Sequence, residues 1–232
     1  MTTIASSLKA VKARIARVAQ SVDRQPDEIT LLVASKTHPA ERVREAWLAG
    51  QTIFGENYLQ EALAKMPALA DLPIEWHFIG PIQSNKTKRI AENFVWVHSV
   101  DRVKIADRLA KDRPKSLPPL QICLQVNVSG EASKSGVAPE EVANLAAHVV
   151  RLPRLKLRGL MAVPELTTAR HHRPASAGHL RCRDPSLYPA ARTVERPARR
   201  DQSPLRQSHA RAVVRGWATL ERGRTVHQCW QS

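Results

Sequence analysis

The chain has 232 residues, enough for one good-sized domain, and its 43% hydrophobic and 25% charged residues are ordinary for a globular protein with a packed core. No run of about 18 apolar residues is present, which argues against a membrane-spanning helix, and the N-terminal helical pattern lacks the continuous apolar region and small-residue cleavage site expected of a secretory signal. The net charge of +15 is unevenly spread: residues 1–165 carry +6, whereas the 67 residues from 166 onward carry +9. The chain therefore contains two kinds of sequence. Cys123, Cys182 and Cys229 are odd in number and lack metal-ligand spacing, so a disulfide framework is not expected and a reducing cytoplasm is the default.

The N-terminal residues through Arg24 read as a basic amphipathic helix, with a mitochondrial transit peptide as the weaker alternative. EITLLVASK (28–36) is an aliphatic run of strand length ending in a polar residue. The next segment, PAERVREAWLAG (39–50), has a proline suited to a first helical turn, helical spacing of Val43, Trp47 and Leu48, and Gly50 suited to the C-terminal end. TIFGEN (52–57) predicts a second strand and 58–66 a helix; IEWHFIG (74–80) predicts a third strand, with a helix over roughly 84–93. FVWVHSV (94–100) is the fourth strand, after which Asp101 is placed to cap a helix. LQICLQVNV (120–128), a helix near 139–152 and LKLRGLMAV (155–163) complete the pattern.

Six strand-then-helix units imply parallel strands with helical crossovers. A doubly wound sheet and a (β/α) barrel share this pattern. No Gly-x-Gly-x-x-Gly follows the first strand, which lowers the dinucleotide-binding version. Polar residues instead end nearly every strand, where barrels place their chemistry: Lys36, Asn57, Gln83 with Asn85, His98 with Ser99, and Asn127. The reading is an α/β fold with a TIM-type (β/α) barrel in residues 1–165, incomplete after six strands.

From about Leu166 the pattern stops. Ile, Phe, Met and Lys vanish, and Arg, Pro, Ala, Ser and His dominate. Such a composition buries too little apolar surface to offset chain entropy, so 166–232 is expected to be an Arg/Pro-rich disordered tail. Only 211–226 shows weak potential for local structure.

The motifs LLVASKTHPAERVREAWLAG, IFGENYLQE, IEWHFIGPIQSNK, VHSVDR, QVNVSGEASKSGV and RLKLRGLMAVP occur in order over 28–163. They closely resemble the YggS-like, proline-synthase-co-transcribed family of pyridoxal 5'-phosphate (PLP) homeostasis proteins. The resemblance implies a single barrel related to the N-terminal domain of alanine racemase. It also implies intracellular PLP homeostasis by a cofactor carrier or regulator without catalysis, with a Schiff-base lysine ending the first strand. That lysine matches Lys36. His38 stands where some relatives carry a second lysine.

The chemistry of an attacking lysine fits independently, since its amine must shed a proton and benefits from partial desolvation near other cations. The plain alternative is a solvated strand-end lysine. Asn57 is a candidate to orient the cofactor, or else a turn-forming residue. His77 is a candidate beneath the ring, or else a hydrogen-bonded core histidine. Asn85 either contacts cofactor or caps a helix. Lys134, on a Gly/Ser-rich rim loop, either receives cofactor or is solvated. Cys123 is expected to be a small core hydrophobe.

The family's Ser-x-Gly-Met-Ser and Arg-Ile-Gly-Thr segments, which hold phosphate and face the pyridine nitrogen, have no match after residue 165. The tail's composition matches out-of-frame translation of a GC-rich gene, a hypothesis that resequencing tests. The implied product is impaired in cofactor binding. Expected partners are PLP and PLP-dependent apo-enzymes, with no membrane, and the chain is expected to be monomeric. Two other readings fit the residues less well. A racemase needs a second proton donor opposite Lys36, and only Tyr58 and Tyr188 exist. Nucleic-acid binding through the basic tail lacks repeats or interleaved aromatics.

Overall fold

The structure, a computed structural model, describes residues 3–129 and 135–162 and, as backbone, two strands at 217–221 and 224–228. Six strands follow one another as β1 (Leu32–Ala34), β2 (Ile53–Glu56), β3 (Glu75–Phe78), β4 (Trp96–Val100), β5 (Leu120–Val126) and β6 (Leu155–Ala162). The helices are α1 (Ile4–Gln20), α2 (Ala40–Leu48), α3 (Leu59–Lys65), α4 (Thr87–Asn93), α5 (Val103–Asp112) and α6 (Val142–Val150). Every strand and helix expected before residue 163 is present.

Local chemistry explains most of the boundaries. Thr3 caps α1, its Oγ1 accepting the Ser6 N–H at 3.1 Å. Helix α2 starts after Pro39 and ends before Gly50, whose φ of +83° is a conformation that glycine adopts without a Cβ clash. Asp101, in contrast, does not cap α5. Arg102 occupies the cap position without a side-chain bond, and the Asp101 carboxylate instead accepts from Arg102 Nη1 at 2.8 Å. The adjacent guanidinium offers a charge-assisted partner that a backbone N–H does not match.

Strands β1 to β6 pair in parallel and in chain order. Period-2 alternation sends Val33, Phe54, Phe78, Val97, Ile122 and Leu124 to one face, where they share a single core with Leu8, Val43, Ala62, Ile90, Leu109 and Leu145 from the six helices. The opposite face holds two small clusters, Leu32 with Ala34 and Ile79, and Trp96 with Cys123 and Met161, neither containing a helix residue. A doubly wound sheet buries helices on both faces; helices on one face only are the barrel arrangement. Cys123 sits in the core of that inner face, as its strand position predicts.

The sheet order is β6-β5-β4-β3-β2-β1-β7-β8, with β7 (Trp217–Glu221) parallel to β1 and β8 (Arg224–Gln228) antiparallel to β7. The barrel is not closed: among the described residues nothing pairs β6 with β8. A barrel stopped after six strands would leave both edge strands open, but β1 is paired: Leu32, Val33 and Ala34 pair with Trp217, Ala218 and Thr219. These two strands fall mostly within 211–226, the stretch of the tail with weak potential for local structure. Residues 163–216, 222–223 and 229–232 lie outside the described residues.

Candidate functional site

At the C-terminal end of β1 the Ser35 N–H extends the ladder to Gly55 O at 2.9 Å, and the chain then turns through Lys36 and Thr37. Leu32 and Ala34 face the inner side, and Ser35 faces the helices, where it meets Glu56. Lys36 is half-buried, and its Nζ makes no hydrogen bond or ion pair with any described residue.

The turn around Lys36 is held from the helix side. Ser35 Oγ–H donates to Glu56 Oε1 at 2.6 Å, and the Thr37 N–H donates to Glu61 Oε1 at 2.5 Å. Lys65 Nζ donates to Ser35 O at 2.8 Å, to Glu56 Oε1 at 2.8 Å and to Glu61 Oε1 at 3.2 Å. Glu56 and Lys65 are buried, and burial pushes the Glu56 carboxyl above the usual glutamate range against the opposing pull of Lys65 and Ser35. Sequence reasoning passed over these three residues. The one available signal was the Glu61–Lys65 spacing of four, which puts opposite charges on one helical face. A groove of about 480 Å³ on this side is lined by Thr37, His38, Glu61 and Lys65 among others.

On the inner face Ala34, Gly55, His77 and Trp96 form one in-register row across four strands. A Cβ at Gly55 would lie 2.6 Å from Leu32 Cδ2 and 2.9 Å from Ile79 Cδ1, so a side chain there would displace the tips of both residues. His77 is fully buried and stacks on Trp96 and His98 at centroid distances of 5.5 and 5.1 Å. Its Nε2 lies 2.7 Å from Glu75 Oε1 and its Nδ1 2.9 Å from His98 Nε2. With a carboxylate at Nε2, a neutral His77 carries its proton there, and Nδ1 accepts from His98. Arg158 of β6 lies over the Trp96 ring, 5.7 Å from its centroid. The inner face is thus lined with stacked rings and charged groups.

The other expected residues divide. Asn57 is half-buried at the end of β2, next to the Lys36 turn, and its carbonyl lies where a Cβ on Gly80 would fall, 2.0 Å away. Glycine at 80 therefore lets the ends of β2 and β3 meet. Asn85 is exposed in a short 3-10 turn (Ser84–Lys86) and does not cap α4, which has no side-chain cap. Lys134 and Tyr188 lie outside the described residues. Tyr58 is exposed, preceding α3. Among the described residues no group of His, Cys, Asp and Glu has metal-binding geometry, and no helix is long and apolar enough to cross a membrane.

Comparison with known proteins agrees with this geometry. The family model of the alanine racemase N-terminal domain matches residues 6–183. The pyridoxal phosphate homeostasis protein of Pseudomonas aeruginosa is 61% identical over 181 residues, covering 78% of this chain and 79% of that one. The chain belongs to the pyridoxal phosphate homeostasis protein family. Its Escherichia coli K12 relative of the same name is 51% identical over 167 residues, 71% of each chain. PipY of Synechococcus elongatus, solved with PLP bound, superposes with a TM-score of 0.57 at 37% identity over 66% of this chain and 71% of that one. Alanine racemase from E. faecalis shares the fold at a TM-score of 0.50 and 18% identity, covering 67% of this chain and 42% of that one.

Part of the site fits a PLP group. A half-buried amine at the end of β1 that no described residue engages suits its aldehyde end, and closely approaching strand ends at Asn57 and Gly80 suit a flat ring. The Ser-x-Gly-Met-Ser and Arg-Ile-Gly-Thr segments that the resemblance implies for phosphate do not occur in the sequence after 165.

Proposed function

We propose that this protein binds PLP and serves intracellular PLP homeostasis as a non-catalytic carrier or regulator, with Lys36 as the lysine that bonds the cofactor. The observation that carries this reading is the Lys36 amine, half-buried where β1 ends and engaged by no described residue. Bound PLP supplies an electrophilic aldehyde carbon, a flat aromatic ring and a phosphate dianion.

The chain's own residues then have distinct tasks. Lys36 presents an amine to the inner face. Asn57 orients the ring from the end of β2. His77 supports the floor through its stack with Trp96 and His98, since both its ring nitrogens already meet protein partners. Asn85 and Lys134 belong to the rim, Asn85 exposed and open to solvent. Without the family's phosphate segments, affinity is weaker by roughly 2–5 kcal/mol, the worth of two or three hydrogen bonds to a charged group. The two units of the chain are the barrel portion of 1–165 and the aberrant tail of 166–232. Cytoplasmic PLP-dependent apo-enzymes are the recipients, and the carrier acts as a monomer.

The test is the visible absorbance of purified protein with added PLP, followed by borohydride and peptide mass mapping. A coloured protein whose pyridoxyl adduct maps to Lys36 and disappears in Lys36→Ala is expected. A folded, colourless wild type, or an adduct solely at other lysines, overturns the reading.

A further inference from the structure

On the helix-covered side of the sheet, a buried ion pair between Glu56 and Lys65 adjoins Lys36. Replacing a buried ion pair by apolar residues of the same volume is often neutral or stabilising, so folding alone gives a weak reason for Glu56 and Lys65 to be charged. Their bonding offers a better one. Lys65 binds the carbonyl of Ser35, Glu56 binds the hydroxyl of Ser35, and Glu61 binds the N–H of Thr37. All three bonds end on the residues flanking Lys36 and none on Lys36 itself.

The backbone there needs holding. Thr37 has a φ of +64°, in the left-handed region that a β-branched residue adopts only at a cost of about 1–3 kcal/mol. Released from Glu61, Thr37 would relax toward ordinary values and rotate the Lys36 peptide with it. Glu56 Oε2, buried without a partner, shows that the arrangement is not optimised for stability alone.

We propose that Lys65, clamped between Glu56 and Glu61, is the positioning residue that fixes the Lys36 turn so that the Lys36 amine projects onto the inner face. The proposal rests on the reading of Lys36 as the cofactor lysine. Lys65 acts from behind the turn through Ser35, and its own ammonium is fully occupied by protein oxygens.

The experiment uses the full chain with added PLP and compares wild type, the charge-free double variant Glu56→Gln/Lys65→Met, and Glu61→Ala. Three quantities are read: the rate at which visible absorbance grows, the share of borohydride-trapped adduct on Lys36, and the thermal midpoint. The double variant, which leaves no lone buried charge, is expected to melt near wild type, to capture PLP about tenfold more slowly or worse, and to spread its adduct over other lysines. Loss of site selectivity at an unchanged midpoint is not a result that a purely structural pair produces. A folded double variant that captures PLP at the wild-type rate on Lys36 overturns the positioning role and leaves the cofactor reading intact. If the wild type traps nothing at Lys36, the cofactor reading fails and this proposal with it. Should the double variant not fold, Glu61→Ala decides. Its side chain is partly exposed, and slower capture at a retained midpoint supports the proposal, whereas wild-type capture overturns it.

Discussion

The two faces of the β1–β6 sheet are built on opposite principles. Toward the helices, Phe54, Phe78 and Phe94 are almost fully buried among aliphatic side chains, and Phe78 packs edge-on to Phe94 at 5.3 Å. Toward the interior, His77, His98, Trp96 and Arg158 stack and hydrogen-bond. One face supplies the burial that folds the chain, and the other supplies polar chemistry at the cost of some of that burial. A parallel sheet with helices on one side separates these tasks cleanly, because neighbouring residues along a strand point opposite ways.

Substitutions on the two faces test that division. The largest effect is expected from Phe78→Ala, which removes a buried ring from the helix-facing core and should cost about 3–5 kcal/mol in denaturant unfolding. His77→Leu keeps the volume on the inner face but strips His98 and Glu75 of a partner, for about 1–3 kcal/mol. Equal losses for the two, measured in the same way, would erase the distinction between a packing face and a chemical face.

The smallest effect is a pH slope. The Glu56 carboxyl is pushed up by burial, so the folded protein binds its proton more tightly than the unfolded chain does. Its contribution to stability is therefore full below the ordinary glutamate value of about 4 and is lost as pH rises through the raised value. Thermal midpoints of wild type should decline relative to Glu56→Gln across that window. A constant difference from acid to neutral pH would show that Glu56 is not perturbed.

Much of this was legible in the residues. The periodicities of VASK, IFGEN, EWHFIG and VWVHSV mark strands whose polar ends gather at one rim, Lys36 among them. The clamp of Lys65 was hidden because its partners come from three separate segments, and only tertiary packing brings Ser35, Glu56 and Lys65 together. Asp101 looked like a cap because its residue type favours one; an arginine next door outcompeted the backbone. The pairing of Trp217–Glu221 with β1 was also out of reach, since a short Arg-flanked segment carries too weak an alternation to name a partner strand.

That last pairing bears on how the chain is made. Because β1 to β6 lie side by side in order of synthesis, each can dock on its predecessor as it emerges from the ribosome, closing only short loops. The pairing of Leu32 with Trp217 joins segments far apart in the sequence, so it forms only after all of β1 to β6 have been made. Until then the flank of β1, beside the turn that carries Lys36, is bare to any chaperone or neighbouring nascent chain.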